Sequence, residues 1–214
     1  MKKLLKDKST SIICHFIMAV VVLPFVLLFP KQDSLMFING HHSPFLDVLM
    51  YHITRLPELA FIVFVVVLAF FAERRILLAV VVAMSLSGIC IVLFKNVIFP
   101  DFFRPYHWLN GQHVKFHHVP GIHLHSNGSF TSGHTISAFC ALALVGFISR
   151  KPWLQFLLFI LACLSGYSRV YAAQHYLMDV YAGAVFGFAM ALLIYQLFTS
   201  SFKTPFWSQP LIKF

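Results

Sequence analysis

Charge is what this sequence has least of. Only 11% of its 214 residues are Asp, Glu, Lys or Arg, with 7 acidic residues against 16 basic ones. A soluble domain carries about 25% charged residues. Together with a 59% hydrophobic content, this shortage excludes a chain that stays in water by itself. The formal charge of +9 would suit a nucleic-acid partner if it were concentrated, but the cations sit in twos and threes at the ends of apolar runs, so no nucleic acid is expected. Cysteine is scarce as well. Cys14, Cys90, Cys140 and Cys163 each lie inside an apolar run with neither CxxC nor zinc spacing, and read as small buried hydrophobes. A small-residue cleavage site is missing after the first apolar run, so the stretch that follows MKKLLKDK reads as a retained span and not as a signal peptide. Short polar breaks separate the apolar runs along the whole chain, which makes residues 1–214 one membrane-embedded domain.

What is abundant is apolar sequence of spanning length. With about 15 to 21 apolar residues taken as enough to cross a hydrocarbon layer of roughly 30 Å, six segments qualify: Ser11–Phe29, Leu59–Ala72, Ile76–Phe94, Thr135–Ile148, Trp153–Tyr167 and Met178–Phe198. The shorter ones are expected to extend into polar residues that face the bundle interior. Lys2, Lys3, Lys6, Lys8, Arg74, Arg75, Arg150, Lys151, Lys203 and Lys213 all fall on one side of such a bundle. The positive-inside rule makes that side the cytoplasm. The other side receives only Lys31, Arg55, Lys95, Arg104, Lys115 and Arg169, and those outer cations call for a reason.

Three short stretches meet on that outer side. They are Lys95 with Arg104-Pro105, then Thr131-Ser132-Gly133-His134, then Ser168-Arg169 followed by His175 and Asp179. Here the chain resembles the type 2 phosphatidic acid phosphatase family, of the acid phosphatase and vanadium haloperoxidase-like superfamily. That family's pattern is a lysine and an Arg-Pro, then Pro-Ser-Gly-His, then Ser-Arg with five residues to His and three more to Asp. The third motif is present in full. In the second, Thr131 stands in the place of the proline. In the first, eight residues separate Lys95 from Arg104 where the family commonly has six, and a Phe-Pro-Asp turn around Pro100 is expected to absorb the difference. The resemblance covers residues 90–185. It implies an all-α bundle of six transmembrane helices with both termini cytoplasmic and an acid phosphatase-like core.

The residue chemistry fits the same roles. A phosphoryl group in transfer spreads charge over three oxygens, which Arg104 and Arg169 can hold with planar forks while Lys95 adds a point charge. Ser132 and Gly133 precede a span, so backbone N–H groups at that helix start would face the same anion. Asp179 lies one helical turn after His175, where it can accept a hydrogen bond from Nδ1–H and leave Nε2 free to attack phosphorus. The resemblance leaves His134 to protonate the departing oxygen and then activate water. It implies no cofactor and no metal, with a phospholipid, polyprenyl or lipid A phosphate as substrate: undecaprenyl diphosphate, phosphatidylglycerol phosphate, phosphatidic acid or a lipid A phosphate. Phosphotransfer to another lipid would use the same phosphohistidine. The segment 105–128, with His107, His113, His117, His118, His123 and His125, leaves open a different class, a histidine-rich metal-handling protein. Head-group recognition is the favoured role for this loop. Ser43-Pro44 should open a helix lying in the outer interface.

Overall fold

Each apolar stretch of the sequence folds as a helix. The computed structural model describes residues 8–55, 57 and 59–211; Lys2, Lys3, Lys6 and Lys213, counted above as orienting charges, lie outside them. The described helices are α1 (Ser9–Leu28), α2 (Lys31–Gly40), α3 (Pro44–Thr54), α4 (Leu59–Phe70), α5 (Arg74–Leu93), α6 (Pro105–Gly111), α7 (Gly133–Ser149), α8 (Pro152–Tyr171) and α9 (Leu177–Ser201). The architecture is all-α, and the strand pairing among the described residues is one isolated bridge, Glu73 to Pro210. Four helices, Ser9–Leu28, Arg74–Ile98, Pro152–Tyr171 and Leu177–Ser201, are long and apolar enough to cross a membrane. Helices α4 and α7 are apolar but shorter, at 12 and 17 residues. Side chains such as Phe16, Leu27, Leu28, Val97 and Leu193 stand fully outward, as they would against acyl chains.

Lipid tails are as apolar as leucine, so burial alone does not drive these helices together and close packing must. The sequence provides for it on α9, where Gly183, Gly187 and Ala191 recur every fourth residue on one face. A Cβ at Gly183 would sit 2.9 Å from the Ser132 carbonyl oxygen, and one at Gly187 would sit 2.4 Å from that of Ile136. Only glycine lets α7 and α9 approach so closely. Below this seam Cys140, Leu144, Phe147, Ala191 and Tyr195 pack with Val65 of α4 and Ile76, Val80 and Ala83 of α5.

The two ends of the bundle differ in chemistry. At one end Arg75 donates to the Thr199 and Phe202 carbonyls, 3.2 Å each, meeting the negative end of α9. Arg150 lies 3.6 Å from Glu73 there. Buried Lys8 donates to Gln196 Oε1 at 3.0 Å, with its ammonium 4.4 Å from the Tyr195 ring centre. At the other end α7 and α9 begin and α8 finishes, beneath α2, α3, α6 and the loop 112–132. Ser43 caps α3 through the Leu46 amide at 3.2 Å, with Pro44 in the first turn. Helix α2 has no counterpart among the expected spans.

Candidate active site

The glycine seam sets the register of the site. With Gly183 against the Ser132 carbonyl, the start of α7 lies beside the start of α9, and the Ser132 amide donates to the Asp179 carbonyl at 3.2 Å. Ser132 is the N-cap of α7, its hydroxyl accepting from the Thr135 amide at 3.4 Å and the Thr135 hydroxyl at 2.8 Å. The first amides of a helix have no intrahelical partner. The N–H groups of Gly133 and His134 therefore open the helix, while Ser132 itself is fully buried and acts through the cap.

The spacing from Arg169 to His175 has a local cause. Helix α8 ends at Tyr171, and Ala173 turns the chain through the left-handed region at φ 52°. The amides of Gln174 and His175 then both donate to the Arg169 carbonyl, at 2.9 and 3.2 Å. One turn thus carries the imidazole back beside the guanidinium. Asp179, in the first turn of α9, accepts from the Tyr176 amide at 3.0 Å and from the Ser129 hydroxyl at 2.5 Å. The same Oδ2 lies 3.4 Å from His175 Nδ1, a long contact of the kind that tightens when substrate binds. Capping α9 and orienting His175 are therefore one job for this carboxylate.

Lys95 reaches the site through a change of helix type. Helix α5 runs on as a π turn, Phe94–Ile98, which holds one more residue than an α turn. A turn at Pro100–Asp101 follows it. Lys95, within the first of these two features, and Arg104, beyond the second, line one cavity of about 640 Å³. Asn96, Pro100, His125, Ser126, Asn127 and Gly128 complete its wall. Gly128, at φ 65°, would put a Cβ 3.7 Å from the Lys95 Cδ, so the lysine stem lies along bare backbone. The charges of Arg104, Arg169 and Lys95 act on both His134 and His175. Burial, with those three cations and His134, holds the His175 imidazole well below its ordinary pKa of 6.5. At neutral pH the ring is therefore uncharged.

Every residue proposed from the sequence thus falls at one end of the bundle. Several partners were not foreseen. Arg169 donates to Thr54 Oγ1 of α3 at 2.5 Å and to Gln174 Oε1 at 3.0 Å. Arg104 donates to the same Gln174 oxygen at 3.0 Å and to the Asn127 carbonyl at 2.9 Å. Asn39 of α2 bonds the His117 carbonyl and amide and the Tyr171 carbonyl, each at 2.8 Å. The histidines of the loop disperse. His117 pairs with Asp47 at 2.7 Å, His118 with the Ile122 carbonyl at 2.8 Å, and His107 stacks on Phe103. Among the described residues no three His, Cys, Asp or Glu side chains converge as metal ligands. Only His125 of this loop lines the cavity, and burial and the nearby arginines lower its pKa.

Known proteins resemble this chain in sequence and in fold. A lipid A 4'-phosphatase of Bacteroides thetaiotaomicron is 28% identical over 163 residues, 72% of this chain and 70% of that protein. The crystal structure of Aquifex aeolicus LpxE superposes with a TM-score of 0.67 at 24% identity, covering 77% of this chain and 93% of that one. The crystal structure of a transmembrane PAP2 type phosphatidylglycerolphosphate phosphatase from Bacillus subtilis gives 0.65 at 19% identity, covering 92% and 98%. These two likenesses establish the fold. The profile of the PAP2 superfamily matches residues 76–203, well over half the chain and all the residues of the site, so this protein belongs to the PAP2 superfamily as a membrane phosphatase.

Proposed function

We propose that the protein removes phosphate from a membrane lipid phosphate or diphosphate at the extracytoplasmic face of a bacterial inner membrane, through a phosphohistidine and without a metal ion. The observation that carries this reading is that Lys95 and Arg104 line one cavity and, with Arg169, lie close enough to act on both His134 and His175, the latter beside Asp179. His175 Nε2 attacks phosphorus while Asp179 keeps the Nδ1 proton in place. The P–O bond to the lipid breaks, and the leaving oxygen takes its proton from His134. Water, deprotonated by His134, then attacks the phosphohistidine and releases phosphate. The three cations and the amides that open α7 stabilise the equatorial oxygens throughout.

The similarity to a lipid A 4'-phosphatase puts a lipid A phosphate first among the substrates, ahead of phosphatidylglycerol phosphate, phosphatidic acid and undecaprenyl diphosphate. Purified protein given these four lipids is expected to release phosphate fastest from lipid A, to keep that activity in EDTA and to lose it to orthovanadate. Loss of activity on chelation, restored by a divalent ion, would overturn the metal-free mechanism. Release from none of the four would overturn the substrate class.

The orientation rests on the cation bias. In this reading six helices cross the bilayer, α4 and α7 reaching through with their polar flanks, and both termini are cytoplasmic. Gly111, exposed at the end of α6, would then face outward. Gly111→Cys is expected to react with an impermeant thiol reagent in intact cells, with the four natural cysteines replaced by alanine. Labelling only after lysis reverses the orientation.

A further inference from the structure

The two arginines of the site come from distant parts of the chain, Arg104, which lines the cavity, from the segment after α5 and Arg169 from the end of α8, and both carry a positive charge. They would repel one another if nothing lay between them. A neutral oxygen joins them. Gln174 Oε1 accepts from Arg104 Nη1 and from Arg169 Nη2, each at 3.0 Å. A carbonyl oxygen has two lone pairs, and both are taken. The other half of the same amide donates to the His123 carbonyl, which fixes which way the group faces. Gln174 is 2% exposed, so water does not substitute for it.

From this we propose that Gln174 is a positioning residue: it holds the Arg104 and Arg169 guanidiniums as one preformed cradle for a tetrahedral oxyanion and ties that cradle to the loop above it. The inference rests on the assignment of the cavity as the phosphate site. Neutrality is essential to the role. A glutamate here could accept the same two hydrogen bonds, but its charge would occupy the arginines and repel the incoming phosphate. A methionine has a similar length and no acceptor of comparable strength, so it would leave the two forks unlinked and two buried charges short of a partner.

The test measures the inhibition constant of orthovanadate and the kcat and KM for a soluble aryl phosphate in detergent, for wild type, Gln174→Met and Gln174→Glu. An inhibition constant does not depend on how much of a preparation is folded, so poor yield of one variant does not obscure the result. Gln174→Met is expected to weaken vanadate about ten-fold, the size expected for losing hydrogen bonds to charged groups. Gln174→Glu is expected to weaken it by about a hundred-fold, since charge repulsion is added. A merely structural role would lower thermal stability in both variants and leave the inhibition constant where it was. That outcome, or equal losses in the two variants, would overturn the proposal. Arg104→Ala and Arg169→Ala separate the two levels of inference: an unchanged vanadate constant in both would remove the phosphate site itself. Large losses there beside wild-type values for Gln174→Glu would remove only the role of Gln174.

Discussion

His175→Ala is expected to abolish turnover of a natural lipid phosphate, by on the order of 10⁴-fold or more, because in the proposed mechanism the group that forms the covalent bond is gone and not merely weakened. No acid-labile phosphoenzyme should be trapped from this variant on rapid quenching. Asp179→Asn should fall between full activity and full loss, since the Tyr176 amide can still cap on the remaining carbonyl oxygen while the hold on Nδ1 weakens. The pH dependence follows from the environment of the nucleophile. Burial and the surrounding cations depress the His175 pKa well below 6.5. The imidazole therefore stays neutral as the pH falls through the ordinary histidine range, and the acid limb of kcat/KM that belongs to the nucleophile should lie below that range. A phosphoenzyme that still forms in His175→Ala, and fails to form in His134→Ala, would exchange the two roles.

His134→Ala is expected to cost about 10²- to 10⁴-fold with a lipid substrate, the range of general acid catalysis. The loss should shrink sharply with an activated aryl phosphate, whose leaving group departs without a proton. His175→Ala should show no such recovery. The contrast has a structural basis. His175 is 1% exposed and paired with a carboxylate in the first turn of α9, which begins two residues after it. His134 opens α7 and is only half-buried, with no carboxylate at fixed spacing, as befits a group that must pass a proton to substrate and then to water. Equal recovery of both variants on the aryl substrate would leave His134 without a role as acid.

Much of the site was legible because its spacings are local. The five residues between Arg169 and His175, the three between His175 and Asp179, and the helix start at Ser132-Gly133 are properties of short segments, although His175 itself precedes α9 and does not sit on a helical turn with Asp179. The helices were legible for a similar reason, since an apolar run of spanning length has few other uses. Partners set by packing were not. Thr54 meets Arg169 from 115 positions away and Arg104 meets Gln174 from 70, and nothing in the local sequence of either pair announces the other. Helix α2 escaped notice because KQDSLMFING is neither apolar throughout nor strongly periodic. Its buried Leu35 and Asn39 gain meaning only once the loop and α8 are in place. The loop histidines suggested metal by composition alone, whereas in the fold His107, His117 and His118 go to separate partners and His123 meets His125 edge to face.

The π turn at Phe94–Ile98 also bears on how such a protein can change length without losing its activity. A residue gained within an α-helix ordinarily rotates everything beyond it by about 100°, because the helix makes one turn in 3.6 residues. When one turn widens to take the extra residue, the rotation is confined to that turn. The α5 face that packs against α4, α7 and α9 keeps its register, and the segment carrying Arg104 keeps its place. A residue gained at this turn would therefore leave both the packed face of α5 and the cavity wall that holds Lys95 and Arg104 where they are.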